Sequence, residues 1–140
     1  MRVKLEKGAI MPTRAHDTDA GLDLYAPSNM RTKVLYSGRS VVIDTGVHVE
    51  IPRGYVGMLK SKSGLNVKRG ISGEGVIDSG YTGSIVVKLN MHDGDHWHEI
   101  HGGDKLIQLV ILPILTPELE LVDDLTPTDR GNNGFGSTGR

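Results

Sequence analysis

Apolar and polar residues alternate along most of this chain with the two-residue period of a β-strand, and the longer period of an amphipathic helix is nearly absent. In 45–51, Val47, Val49 and Ile51 fall on one side, with His48 and Glu50 on the other. Ile85, Val87 and Leu89 repeat the arrangement against Val86 and Lys88, so both segments read as half-buried strands. Shorter runs at 3–5, 22–25, 41–43 and 55–59 are separated by Gly, Pro, Asn and Asp, and the 19 glycines supply turns. The stretch 106–112 is almost continuously apolar, which predicts a central strand buried on both faces. One helix is predicted over 63–69, with Ser63 as its cap and Gly70 at its end. The expected fold class is all-β, a sandwich or barrel with one short helix.

Composition narrows the function classes. At 140 residues the chain is the size of one domain and long enough to bury roughly two-thirds of its unfolded surface. It has no cysteine, which excludes disulfides, thiol nucleophiles and cysteine-ligated zinc. Residues 1–12 have no apolar stretch of signal-peptide length, and a cytoplasmic location is expected. The longest apolar stretch, 106–115, is interrupted by Gln108 and Pro113 and is far shorter than a bilayer span, so no membrane association is expected. A net charge of −1 gives no general attraction for nucleic acid, and an anionic ligand must meet a local site. Lys60, Lys62, Lys68 and Arg69 offer one. Residues 130–140 differ from the rest, with four glycines, two asparagines, an arginine at each end and the only phenylalanine, Phe135. The expected organisation is a β core over 1–129 and an arm over 130–140 that orders against a bound ligand.

Several segments carry chemistry. Gly75-Val76-Ile77-Asp78-Ser79-Gly80-Tyr81-Thr82-Gly83 sets a carboxylate and an aromatic ring three residues apart in a glycine-bounded turn between two strands. It reads as an acid and a flat ring at one rim, or as an ordinary hairpin. Ser61-Lys62-Ser63-Gly64-Leu65 reads as a phosphate cradle or as a plain capped helix. Gln108, an amide on an otherwise apolar face, requires either a backbone partner or a phosphate. Asp23, a charge within an apolar strand, either pairs with a Lys or Arg or sits near a magnesium-bound phosphate. The tail lacks the lysine and following helix of a Walker motif, but Arg130, Phe135, Gly136, Ser137 and Thr138 combine a guanidinium, a stacking ring and hydrogen-bond donors. His92, His96, His98 and His101 crowd a polar segment that reads as a loop, in which Asp93, Gly94 and Asp95 read as an ordinary turn, and their spacing matches no tetrahedral zinc motif, so they are expected to be surface residues.

In their order and spacing these segments, together with Gly103-Asp104-Lys105-Leu106-Ile107-Gln108-Leu109, resemble the five motifs of the trimeric deoxyuridine triphosphatases across essentially the whole chain. The resemblance implies a jelly-roll-like β-barrel or sandwich and a homotrimer whose three sites are each shared between subunits. It implies Mg²⁺-assisted hydrolysis of dUTP to dUMP and pyrophosphate, which supplies dUMP for dTMP synthesis and keeps uracil out of DNA. Asp78 would aim and deprotonate the attacking water, and Tyr81 would lie under the deoxyribose. The hairpin 70–78, including Ser72, Val76 and Ile77, would read uracil with backbone groups. Lys62, Ser63, Gly64 and Gln108 would hold phosphates. Arg130 would clamp the triphosphate, Phe135 would stack on the base, and Gly136, Ser137 and Thr138 would donate to the outer phosphates. Asp23 would support Mg²⁺ through water.

The chain departs from the family pattern at Lys62, where arginine is usual, at Ser72, where many bacterial members have asparagine, and at Asn133, in place of a tail glycine. The related dCTP deaminases share the implied fold, but their catalytic glutamate would fall at Lys88, and a cation cannot serve as that base. A nucleotide-responsive protein that docks a regulator is a second alternative. Asp78, Tyr81 and the intact tail favour catalysis over it.

Overall fold

The alternation of small β-branched and polar residues produces an almost entirely antiparallel β architecture. It is described by a computed structural model, which describes residues 1–92 and 96–131. In chain order the elements are β1 (Arg2–Leu5), β2 (Gly21–Tyr25), β3 (Lys33–Tyr36), β4 (Ser40–Glu50), β5 (Tyr55–Ser61), α1 (Ser63–Arg69), β6 (Ile71–Ser72), β7 (Glu74–Ile77), β8 (Ser84–Met91), β9 (Trp97–Ile100) and β10 (Lys105–Pro113). One sheet has the order β1-β4-β8-β6, a second has β2-β10-β5-β7, and β3 pairs with β9 alone. The sheets do not close, so the fold is a jelly-roll-like sandwich rather than a closed barrel.

The core lies between the two larger sheets. Ile43, Val47 and Val49 of β4 and Ile85, Val87 and Leu89 of β8 join Leu24, Leu59, Ile77, Ile107 and Leu109 from the opposing sheet in one buried cluster. Each such side chain contributes about 1.5–3 kcal/mol relative to leaving it exposed. Gly57 of β5 lies where Ile51 and Leu109 close in: a Cβ there would stand 2.7 Å and 2.9 Å from their methyl carbons.

Four details differ from expectation. The runs 41–43 and 45–51 form one strand, because Gly46 takes a positive φ of 66° and the pairing of β4 with β8 shifts between Asp44 and His48. The strand bulges there without ending. β10 is central, flanked by β2 and β5, but it is buried on both faces only in its first half; Leu112 is 45 % exposed. The cap of α1 is Lys62, not Ser63, and no side chain caps it, while Gly70 in the left-handed region (φ 63°) closes the helix as expected. The histidines do not share one loop, since His98 lies within β9, whose short sequence WHEI has too few apolar residues to reveal a strand.

Candidate functional site

The outer face of the second sheet carries the first cluster. Asp23 of β2 and Gln108 of β10 are paired across the ladder, and Gln108 is paired in turn with Lys60 of β5, so their side chains share one face. The Asp23 side chain is nearly inaccessible, and both of its oxygens are engaged. Lys62 Nζ lies 2.5 Å from Oδ1 and Lys105 Nζ lies 2.8 Å from Oδ2, while Gln108 Nε2 donates to Oδ1 at 3.5 Å. Burial acts to raise the Asp23 pKa, but the hydrogen bonds and charges of Lys105 and Lys62 together outweigh it and hold the carboxyl below its usual range. The same pairing raises the pKa of Lys105. Two ammonium groups against one carboxylate leave a local positive charge, as phosphate binding requires. The Gln108 amide nitrogen thus meets a side-chain carboxylate.

Gly21 permits this close packing, because a Cβ there would come within 3.0 Å of the Gln108 amide carbon. Ser63 and Gly64, just beyond Lys62, are exposed, and open space surrounds Gly64. Their amides begin α1 and so have no partners within the helix. Lys105 belongs to this cluster but was missed as a site residue. Its signal was present in the sequence: a lysine opening a strand that also carries Gln108.

The second cluster lies at the end of β7. Val76, Ile77, Asp78, Tyr81 and Val86 line a shallow cavity of about 200 Å³. Asp78 is exposed, and its carboxylate makes no hydrogen bond or ion pair among the described residues. The turn is tight: the Tyr81 amide donates to the Asp78 carbonyl at 3.0 Å, and the Tyr81 hydroxyl donates to the Ser84 carbonyl at 2.8 Å. Gly83 lies against the ring, and a Cβ there would stand 2.5 Å from the Tyr81 oxygen. Backbone on both sides thus fixes an acid beside a flat ring.

These clusters do not meet within one chain. Glu74 lies level with Lys60 and Gln108, and Asp78, just past the end of β7, lies four residues further on, two strands from β10. Strand spacing and rise place the Asp78 position about 16 Å from Gln108. Ser72 is elsewhere again, its hydroxyl 3.2 Å from His92 Nε2. Arg130 falls among the last described residues, and Phe135, Gly136, Ser137, Thr138 and Asn133 lie outside them.

The histidine group assembles no metal site: among the described residues no three His, Asp or Glu side chains converge as metal ligands. His96 Nε2 lies 3.3 Å from the Arg69 carbonyl, and His101 Nδ1 lies 3.0 Å from the Thr32 hydroxyl. Asp93, Gly94 and Asp95 lie outside the described residues. For Mg²⁺, the first cluster offers one carboxylate already engaged by two lysines. That donor set suits an ion carried largely by ligand phosphates and touched by protein through water, and it does not suit an all-protein cage.

The class defined by fold and site is an antiparallel β sandwich with a cationic cluster on one sheet face and an acid–aromatic turn at a strand end. The dUTPase family model matches residues 7–139, and the chain belongs to the dUTPase family. It is 38 % identical to the deoxyuridine 5'-triphosphate nucleotidohydrolase of Clostridium acetobutylicum, covering 97 % of this chain and 93 % of that one. It is 42 % identical to the tomato (Solanum lycopersicum) protein of the same name, covering 97 % and 79 %. Among solved structures, the dUTPase of Staphylococcus bacteriophage 80alpha with dUPNHPP superposes with a TM-score of 0.84 at 35 % identity, covering 99 % and 98 %. The dUTPase of phage phi11 of S. aureus, in a structure concerned with a structural Mg(II) ion, gives a TM-score of 0.76 at 36 % identity, covering 88 % and 96 %.

Proposed function

We propose that this protein hydrolyses dUTP to dUMP and pyrophosphate, and that it does so as a homotrimer whose sites combine the two clusters from different subunits. The observation that carries this reading is the exposed Asp78 held beside Tyr81 at the end of β7, in a chain that belongs to the dUTPase family along nearly its full length. Asp78 orients a water and takes its proton as the water oxygen bonds to the α-phosphorus. The bond from that phosphorus to the bridging oxygen breaks, and pyrophosphate leaves. A carboxylate is a weak base, so its value lies in aiming the nucleophile at close range.

Tyr81 supports the deoxyribose and excludes a 2′-hydroxyl. The backbone of β6, β7 and the residues between them, with Ser72, Val76 and Ile77, reads the uracil edge. Lys62, Ser63, Gly64, Lys105 and Gln108 hold the phosphates of a site completed by a neighbouring subunit's turn. Arg130 clamps the triphosphate, and Phe135, Gly136, Ser137 and Thr138 close over base and outer phosphates. Mg²⁺, when bound, neutralises phosphate oxygens, and Asp23 is the residue that would hold it, through water. The 16 Å or so between the clusters, two strands and four residues apart, supports the shared site. So do the exposed leucines after β10: Leu115 is 93 %, Leu119 97 % and Leu121 101 % exposed in the single chain. Such a run is suited to cover against another subunit.

Pyrophosphate release with Mg²⁺, measured side by side for dUTP, dTTP, dCTP and UTP, tests this reading. Rapid release from dUTP alone is expected, with the others slower by roughly a hundredfold or more, because unmet buried polar groups and clashes discriminate strongly. Comparable turnover of UTP or dTTP would overturn the assigned roles of Tyr81 and the β6–β7 backbone. Ammonia release from dCTP at rates matching dUTP cleavage would overturn the reaction itself.

A further inference from the structure

The turn that carries Asp78 and Tyr81 is tethered at its return end by a residue far away in sequence. His48 of β4 places Nδ1 2.8 Å from the Thr82 carbonyl and Nε2 3.0 Å from a Glu6 carboxylate oxygen. A carbonyl oxygen accepts only, and the other nitrogen meets an oxygen of the Glu6 carboxylate, so both ring nitrogens face acceptors. A neutral imidazole has one N–H and can serve only one of them.

We propose that His48 is a positioning residue of the catalytic turn, an imidazolium that donates to Glu6 and Thr82 together and thereby holds the return strand behind Asp78 and Tyr81. The bulge in β4 makes this possible. Five residues of β4, Asp44 to His48, span three of β8, Ser84 to Val86, and the excess chain brings His48 level with Ser84 at the mouth of the turn. Asp44 fixes the same point, since its Oδ1 accepts from the Ser84 hydroxyl and from the Gly46 amide. The Ser84 carbonyl in turn anchors the Tyr81 hydroxyl. Three contacts from β4 and the turn itself thus converge on 82–84, directly behind the acid–aromatic pair.

The charges around the ring favour the cation on balance. Lys4 of β1, paired across from His48, opposes it; Glu6, following β1, favours it; and the Asp44 carboxyl, held below its usual range first by the Ser84 hydroxyl and then by the Gly46 amide, has a smaller favourable interaction with it. Glu50, further along β4, is taken up by Arg2 of β1 at 2.5 Å. The hydrogen bond to Thr82, first, and that to Glu6 raise the His48 pKa above its ordinary 6.5. The clamp is therefore intact below pH 6.5 and is lost as pH rises through the raised value. Deprotonation leaves a lone pair facing one of the two acceptors.

The role assigned to the turn rests on the proposed dUTPase reaction, and two measurements separate the two ideas. The first is the pH profile of kcat and KM for dUTP in the full chain, His48→Ala and His48→Asn. The Asn amide nitrogen can take the place of Nδ1 and donate to Thr82 without titrating. In the wild type kcat should fall about threefold to tenfold across an alkaline limb, a size typical of slightly displaced catalytic groups. His48→Ala should sit at the lower level at every pH, and His48→Asn should regain most of kcat without that limb. KM should move less than kcat in each variant.

The second measurement needs no turnover: ¹⁵N titration of the His48 ring, expected to show both nitrogens protonated with a midpoint above 6.5. A midpoint at or below that value overturns the clamp. So does an unchanged pH profile in His48→Ala while the wild type hydrolyses dUTP, a result that leaves the proposed function standing. Absence of dUTP hydrolysis in the wild type overturns the function instead, and the ring titration still decides the state of His48.

Discussion

Asp78 and Asp23 have the same side chain and opposite surroundings. Asp78 is exposed and unpaired among the described residues, whereas Asp23 is buried and clamped by Lys62 and Lys105. Replacing Asp78 by Asn should lower kcat by about a thousandfold or more while leaving affinity for a non-hydrolysable dUTP analogue within a few-fold, since only the aimed proton acceptor is lost. Equal turnover in a pyrophosphate assay would refute its role. Asp23→Asn acts on stability as well. Two lysines lose their anion, and because both reach solvent, the loss in urea unfolding should be about 1–2 kcal/mol, below that for a fully buried pair. The pH dependence follows from the lowered Asp23 pKa. Its contribution is complete above the ordinary carboxyl range and disappears as pH falls through the depressed value. The acid limb of a stability–pH curve should therefore be shallower in Asp23→Asn than in the wild type.

At the scale of elements, glycines set how closely strands and turns approach. A Cβ on Gly73, between β6 and β7, would stand 2.8 Å from the Lys88 carbonyl oxygen of β8. The backbone of Gly73 is also held in both directions by the Ser61 hydroxyl at 3.0 Å. Gly73→Ala should destabilise by about 2 kcal/mol, as an overpacking change that backbone must absorb, and should weaken nucleotide binding because the segment β6–β7 shifts with it. Chemical denaturation and analogue titration would test both effects. Gly83→Ala has a more local consequence, since it drives the Tyr81 ring off its seat and so should reduce turnover with little change in unfolding midpoint. The strands of this core were legible from alternation alone, as at Ile85, Val87 and Leu89. β3 and β9 were not, because Leu35 and Ile100 are the only buried residues in those two short strands.

For the whole molecule, the segment beyond β10 points outward. Leu119 and Leu121 alternate with Glu118 and Glu120 in a strand-like period, yet in the single chain they face solvent. If they pack on a neighbouring subunit, the double substitution Leu119→Glu and Leu121→Glu should shift the protein from trimer toward monomer in sedimentation velocity. A trimer unaffected by that change would place the interface elsewhere. Removal of 130–140 should have the opposite profile, leaving the oligomeric state unchanged and lowering kcat/KM by about a hundredfold, the order expected if this segment closes over the ligand as proposed.

The sequence by itself determined the β class, the paired apolar faces of β4 and β8, the helix stop at Gly70 and the residues at which the chemistry is proposed. Those features depend on side-chain period and on local backbone preference, which neighbours along the chain already express. Tertiary structure decided what depends on distant neighbours. It brought Lys105 and Lys62 onto Asp23, set the Asp23 cluster and the Asp78 turn on separate parts of the second sheet, and set His48 behind Thr82 through a bulge. Burial, charge pairing and strand register arise only when segments many residues apart are brought together, so no local pattern could announce them.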